Sequence, residues 1–353
     1  MDSDPFEPLI ASIRQEIQSA GRILLVSHLR PDGDAVGSLL GLGLSLEAAG
    51  KQITMVLEDV VPGMFRHLTG SDKILKKADG AYDFSIVLDC SDLQRTGVTF
   101  ANLAGNEGQT NPASTLNEGP FTRLDVNIDH HITNLNFARY NLVESDAVAT
   151  SELLALRLSA LGLPLTLPVA EALLTGIITD TIGFRTNNMT PRALRVAANL
   201  VEAGANLPDL YQRALNRRSF TAARYWGQGL IHLQREGEMV WTTLTLEDRR
   251  AAGYPGKDDA DLINILASVS EAEVAMVFIE QTDGTVKVSW RSQNQKDVSR
   301  VALYFGGGGH RAASGAEVQG TLEEVQNLVL DATRKLFQPK ESGNSPLSAI
   351  SGL

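Results

Sequence analysis

Four short segments carry side chains able to hold metal ions, and each lies where an apolar run ends. The run RILLVS (22–27) leads into His28-Leu29-Arg30-Pro31-Asp32-Gly33-Asp34, one imidazole and two carboxylates just beyond a strand-like stretch. FSIVLD (84–89) ends at Asp89, DVNID (125–129) ends at Asp129 and runs on into His130 and His131, and ALLTGIITD (172–180) ends at Asp180. Ligands of open α/β sheets bind at the carboxyl ends of the strands. Asp32 and Asp34 alternate in direction and can reach two neighbouring points, while Gly33 relieves crowding between them. An acid at a helix C-terminus such as Asp180 is opposed by the helix dipole unless a cation compensates. Each cluster alone has an ordinary alternative: Asp34 as a helix N-cap beside a solvated Asp32, the others as loop acids or hydrogen-bonded histidines. Four such clusters together favour one shared centre.

Electrostatics says what that centre would need. In the set His28, Asp32, Asp34, Asp89, His130 and Asp180, with neutral imidazoles, the four carboxylates sum to −4. Converging in one place they would repel and raise one another's pKa unless cations were present, and two divalent ions supply the matching charge. Oxygen donors with a minority of imidazole suit Mn²⁺ or Mg²⁺, the histidines favouring Mn²⁺; Zn²⁺ and Co²⁺ are compatible. Two such ions about 3.5–4 Å apart can activate a water and stabilise phosphoryl oxygens.

The rest of the chain bounds the setting. Its 353 residues exceed one ordinary domain, and 43% hydrophobic and 21% charged content is that of a globular protein. MDSDPFEPLI lacks the basic and apolar regions of a signal peptide, and no apolar run reaches membrane-spanning length, so the expectation is a cytoplasmic protein without a membrane partner. A single cysteine, Cys90, excludes an internal disulfide and a cysteine-rich metal site. The net charge of −11 argues against a grip on long nucleic acid, which needs an extended basic surface.

Short apolar runs, the three above and ITMVLE (53–58), interleave with helical spacing such as that of 34–50, which predicts an α/β sheet with helices on both faces. The polar stretch 101–119 reads as a surface loop. From 147 to 216 the apolar spacing is helical, with Thr190 before Pro191 as a cap. Residues 219–235 read as a connecting helix. MVWTTLTLE (239–247), VAMVFIE (274–280) and TVKVSW (285–290) read as strands, and 322–337 as an amphipathic helix. The expected division is a catalytic domain over 1–216, a linker over 217–238, a smaller α/β domain over 239–338 and a disordered tail over 339–353.

A glycine run, Gly306 to Gly309, precedes His310. It could bring backbone N–H groups close to a phosphate or sugar, or be no more than a flexible loop. Arg291 and Ser292 follow the strand TVKVSW, and an arginine suits forked contact with phosphate or stacking on a base. Gly41-Leu42-Gly43 lacks the context of a dinucleotide fingerprint and reads as helix packing. Cys90 reads as a small core residue, His67 and His232 as structural or exposed, and Arg185 as either a phosphate contact or a salt-bridge partner.

With these motifs in hand, SHLRPDGDAVGS, VLDCSD, NIDHH, GIITDTIGF and FGGGGHRAASG, in this order, the chain resembles the DHH phosphoesterase family. The resemblance is to its nano-RNase and 3′-phosphoadenosine-5′-phosphate (pAp) phosphatase type with a C-terminal DHH-associated domain, and it spans nearly the whole sequence. It implies an N-terminal domain with a mainly parallel sheet, a smaller C-terminal α/β domain, and an active site in the cleft between them. It implies that His28, Asp32 and Asp89 hold one metal ion and that Asp34, Asp89, His130 and Asp180 hold a second, with Asp89 shared. Asp129 would orient a ligand, and His131 would face the substrate phosphate. Arg291, Ser292, Gly307, Gly308, Gly309 and His310 would form the substrate-binding face.

The activity implied is hydrolysis of short oligonucleotides, pApA or pAp to mononucleotides. Alternatives within the family are a cyclic-dinucleotide phosphodiesterase, an inorganic pyrophosphatase and a RecJ-like exonuclease, and outside enzymology a nucleotide-binding module that has lost catalysis. The glycine element disfavours pyrophosphatase, and the acidic charge disfavours a processive exonuclease. The expected partner is a short oligonucleotide or nucleotide, not a long duplex; a homodimer is compatible with the sequence.

Overall fold

The computed structural model describes residues 5–78, 81–97, 124–293 and 296–338. The polar stretch 101–119 and the tail 339–353 lie outside them. The chain forms two compact units, residues 1–217 and 218–353. Among the described residues no helix is long and apolar enough to cross a membrane.

In the first unit five strands, β1 (Arg22–Val26), β2 (Gln52–Val56), β3 (Phe84–Leu88), β4 (Val126–Asp129) and β5 (Tyr140–Val143), form an all-parallel sheet in the order β2-β1-β3-β4-β5. The order reverses between β1 and β3, where an α/β sheet opens a crevice at its carboxyl edge. β1, β3 and β4 are almost wholly buried, which is why they read as continuous apolar runs. Short and half polar, β5 carries no such signature.

The helices α1 (Glu7–Ser19), α2 (Gly33–Ala48), α3 (Thr150–Arg157), α4 (Leu167–Asp180), α5 (Pro191–Glu202) and α6 (Leu207–Tyr211) all send buried side chains into one large core with Ile23, Leu25, Ile86 and Leu88 of the sheet. The opposite face holds a small cluster of Leu24, Val26 and Val56 with Ala78, Tyr82 and Leu93.

Helix α2 is buried on all sides from Gly33 to Leu46. Gly33, Gly37 and Gly41 recur every four residues and face α4: a Cβ on Gly37 would lie 2.6 Å from the Ala172 carbonyl oxygen. Backbones so close cannot be separated by side chains, and the amino end of α2 is thereby held beside the carboxyl end of α4. Gly41 packs on Leu173 and Gly43 on Met55, as helix packing requires. Thr190 caps α5 through its hydroxyl, which accepts from Ala193 N at 3.1 Å.

The second unit is built on a mixed six-stranded sheet. Its strands are β6 (Gln234–Glu236), β7 (Met239–Leu244), β8 (Val274–Glu280), β9 (Thr285–Ser292), β10 (Gly308–His310) and β11 (Ala313–Gln319), in the order β10-β11-β9-β8-β7-β6. Both faces are covered. Val274, Met276 and Phe278 of β8 join Trp290 and the helices α10 (Val298–Tyr304) and α11 (Leu322–Arg334) on one side. Ala275, Val277 and Ile279 join α7 (Phe220–Ile231), α8 (Leu246–Ala252) and α9 (Leu262–Leu266) on the other. The connecting helix expected over 219–235 is shorter, because it ends at Ile231. Residues 234–236 instead pair with β7 around Gly237, whose φ of 56° suits the turn.

Candidate metal centre

Each loop at the crevice delivers its side chains for a local reason. Beyond β1 the chain turns into α2, and Asp32 serves as the N-cap, its Oδ1 accepting from Asp34 N at 3.1 Å and Ala35 N at 3.0 Å. The capping residue is therefore Asp32 rather than Asp34, and Asp34 is free to point inward from the first turn. Asp89 follows β3 directly with a φ of 54°, a left-handed conformation that costs a non-glycine residue energy and is common at functional sites. Asp180 arrives on the last turn of α4.

The six residues meet. His28 Nε2 lies 3.5 Å from Asp89 Oδ2 and 3.8 Å from Asp32 Oδ1. His130 Nε2 lies 3.6 Å from Asp89 Oδ1 and 3.5 Å from Asp180 Oδ2. Donor atoms within 4.8 Å of one another form three groups: His28, Asp32 and Asp89; Asp34, His130 and Asp180; and Asp89, His130 and His131. Asp89 and His130 each belong to two of them. Atoms around one small divalent ion are separated by roughly 3–3.5 Å. The observed gaps, too long for hydrogen bonds, fit a cation between them.

Both imidazoles are oriented for such a role. His28 Nδ1 lies 2.8 Å from the Leu29 carbonyl oxygen, and His130 Nδ1 lies 3.2 Å from that of Ala147. A ring that donates its Nδ1–H to a carbonyl keeps the Nε2 lone pair for a metal.

The titration shifts express an uncompensated negative cluster. Burial works against a charged His28, but Asp32 and Asp89 outweigh it and raise its pKa to about 10. His130 is raised to about 9, burial again being overcome, here by Asp34, Asp180 and Asp89. Burial, reinforced by Asp89 and Asp32, lifts Asp180 to about 7. Burial, then Asp89 and Asp180, hold the Asp34 carboxyl well above its usual range. Asp32 moves the other way, to about 2: desolvation opposes its ionisation, but His28 and the N–H groups of Ala35 and Asp34 prevail. Protons gather where divalent cations would be attracted.

Around this core stand Asp129 and His131, which the motifs single out, and Asn127, Asn134, Thr150 and Ser151, which they do not. His131 Nδ1 is 2.7 Å from Asp129 Oδ1, and Asn134 Nδ2 donates to Asp129 Oδ2 at 2.5 Å and to Asn127 Oδ1 at 2.7 Å. Asp129 is fully buried, and despite that burial its contacts with His131 and Asn134 hold its pKa below the usual carboxylate range. Thr150 N and Ser151 N, at the amino end of α3, donate to Asp34 Oδ2 at 2.6 Å and Oδ1 at 3.0 Å, and Thr150 Oγ1 donates to Asp89 Oδ1 at 3.0 Å. The run ATSELL, a threonine and serine opening an apolar helix, is the one local signal for these donors.

In the second unit, His310 pairs with Ala313, which pairs with Arg291, so that Arg291 and His310 lie on one face of the sheet in a single cross-strand row. Burial lowers the Arg291 pKa, and its Nη1 donates to the Trp290 carbonyl at 3.0 Å. Ser292, the next residue, faces the opposite side with Trp290, its Oγ buried there. The glycine run is a hairpin edge and not a loose loop: Gly308 and Gly309 pair with Gly315 and Ser314. At two positions side chains would not fit: a Cβ on Gly307 would lie 2.1 Å from the Gly315 carbonyl oxygen, and one on Gly309 2.5 Å from that of Ala313. Cys90 is buried, as a core residue should be, and burial pushes its thiol up to about 12.

Comparison with known proteins gives the chain's relatives. Residues 22–177 match the model of the DHH family, N-terminal domain, and residues 245–338 match the DHHA1 domain. The chain is 33% identical, over 95% of its length and 98% of the other, to the bifunctional oligoribonuclease and PAP phosphatase NrnA of Thermus thermophilus. It is 26% identical, over 91% and 95%, to the protein of the same name from Mycoplasma genitalium. Among solved structures, an exopolyphosphatase-related protein from Bacteroides fragilis superposes with a TM-score of 0.83 at 26% identity, covering 96% of this chain and all of that one. An exonuclease RecJ bound to manganese shares the fold at a TM-score of 0.52 and 13% identity, covering 99% and 97%.

Proposed function

The chain belongs to the DHH family, and from that premise we propose that it is a metal-dependent phosphoesterase that hydrolyses oligoribonucleotides of a few nucleotides and pAp, releasing mononucleotides. The observation that carries this reading is the convergence of three His/Asp groups that share Asp89 and His130 at the carboxyl edge of the parallel sheet. The donor set points to two divalent ions, Mn²⁺ foremost. When bound, such ions supply an activated water and charge to balance the phosphoryl oxygens.

The chain's own residues do the rest. His28, Asp32 and Asp89 hold one ion; Asp34, His130 and Asp180, with Asp89 shared, hold the other. Asp129 fixes the His131 tautomer by accepting its Nδ1–H, which leaves Nε2 to face the substrate phosphate and assist the leaving oxygen. Arg291 and His310 contact the nucleotide, an arginine fork being suited to phosphate or base. The glycine hairpin presents backbone to the ligand at close range, whereas Ser292, turned to the other face, does not contribute its side chain. The proposal places this activity in the cytoplasm and includes no membrane partner.

The test is direct. Chelator-treated protein is given Mn²⁺ or Mg²⁺ and assayed against pAp, pApA, cyclic di-AMP, pyrophosphate and a length series of oligoribonucleotides. The expected result is preference for pAp and the shortest oligomers, with Asp89→Ala abolishing all activity. Pyrophosphate as the best substrate would overturn the substrate assignment, and no activity with either ion would overturn the enzyme.

A further inference from the structure

We propose that Thr150, at the amino end of α3, is a positioning residue that sets the two halves of the metal centre against each other. The inference rests on the metal-centre reading above and goes beyond it, since Thr150 belongs to none of the ligand groups. Its backbone and side chain reach both: its N–H is bonded to Asp34, which groups with His130 and Asp180, and its hydroxyl to Asp89, which groups with His28 and Asp32.

The geometry gives each contact a task. Both oxygens of Asp34 accept an N–H, one from Thr150 and one from Ser151, and the first-turn N–H groups of a helix have no partner within it. The plane of that carboxylate is thereby fixed. Asp89 has one oxygen, Oδ2, toward His28 and the other, Oδ1, toward His130. A carboxylate rotates readily about its last bond, and the Thr150 hydroxyl on Oδ1 holds the rotation at which the two oxygens serve different groups. Thr150 and Ser151 are both wholly buried, where such bonds are not traded for water.

The helix end is itself anchored. Buried Glu152 accepts Val148 N at 2.7 Å and Arg192 Nε at 2.9 Å, which closes the turn leading into α3. Arg192 also reaches Glu144, whose own N–H donates to the Asp129 carbonyl at 3.1 Å. Residues 144–152 thus connect the Asp129 strand end, the His130 ring through Ala147, and the Asp34–Asp89 pair.

The test uses full-length protein freed of metal by chelator and titrated with Mn²⁺ by calorimetry, with the electron paramagnetic resonance spectrum of the loaded protein as a second readout. Thr150→Val keeps the shape and removes the hydroxyl; Thr150→Ser keeps the hydroxyl. Removing a partner that orients a metal ligand lowers affinity by about 10–100-fold. That loss, with an altered spin-coupling pattern, is expected for Thr150→Val, and Thr150→Ser should stay within about threefold of wild type. Should Thr150→Val not fold, Thr150→Ala removes the same donor. Wild-type affinity and spectrum in the variant lacking the hydroxyl, or an equal loss in Thr150→Ser, would overturn the inference while leaving the metal centre intact. A wild-type protein that takes up no Mn²⁺ would overturn both.

Discussion

The ring of His131 lies 2.7 Å from the buried carboxylate of Asp129 through Nδ1, and this contact decides what the other nitrogen can do. An ionised Asp129 accepts the Nδ1–H, so the Nε2 lone pair is the one presented outward. Asp129→Asn would place an amide between His131 and the Asn134 donor, where one of its two neighbours must lose a bond. The expected outcome is a fall in kcat of about 10–100-fold with Mn²⁺ affinity little changed, measured by steady-state kinetics and calorimetry on the same preparation. A kcat equal to wild type would mean that the tautomer of His131 has no part in the reaction.

Without metal, stability should depend on pH in one direction. His28 and His130 are raised from 6.5 to about 10 and about 9, so the stability contributed by their protonated forms is complete below 6.5 and is lost as pH rises through 9 to 10. Asp180, raised from 3.8 to about 7, acts in the same direction over a lower window, from pH 3.8 to 7, because ionising it in the folded state costs more than in the unfolded chain. On account of the two histidines, the melting temperature of chelator-treated protein should fall between pH 7 and 10. Saturating Mn²⁺ replaces the protons and should flatten that slope, with proton release visible in calorimetry as a dependence on buffer ionisation enthalpy. A flat profile in chelator would contradict the charge assignment.

How much of this could be read from the sequence differs from residue to residue. His28, Asp89, Asp129 and His130 are legible because each follows an apolar run, and the end of a buried strand is where an α/β sheet presents its ligands. Asp180 is legible as an acid against a helix dipole. Thr150 is not, because its bond to Asp34 spans 116 positions of chain, and the local run ATSELL marks a helix start without naming a partner. β5 is four residues of mixed polarity whose order comes from the register it finds beside β4. Arg291 and Ser292, grouped by their adjacency, are separated by the period of two along β9, which turns neighbours to opposite faces.

The close approach of α2 and α4 ties stability to the centre. A Cβ at Gly176 would fall 2.1 Å from Ser151 Oγ and 2.7 Å from Asp34 Oδ1, so Gly176→Ala must push apart the residues that hold Asp34. Overpacking of this kind costs about 1–3 kcal/mol. Chemical denaturation should register that loss. Mn²⁺ affinity should fall as well, whereas Gly227→Ala, at an open position of α7, should leave both unchanged. Equal metal affinity in Gly176→Ala and wild type would show that the centre tolerates displacement of Asp34.

Arg291 offers the clearest separation between gripping the nucleotide and breaking the bond. It shares a row with His310 on one face of the second sheet, and it is far in sequence from every metal-ligating candidate. If Arg291 grips the nucleotide as proposed, Arg291→Ala removes a contact common to the ground state and the transition state, so KM should rise while kcat holds. A lost charged contact to phosphate costs about 1.5–3 kcal/mol, which corresponds to roughly 10–150-fold in KM. Arg291→Lys keeps the charge without the fork and should recover only part of the loss. The measurement is steady-state kinetics on pAp and pApA with Mn²⁺ saturating. A fall in kcat at unchanged KM would instead assign Arg291 to stabilising the reacting phosphate.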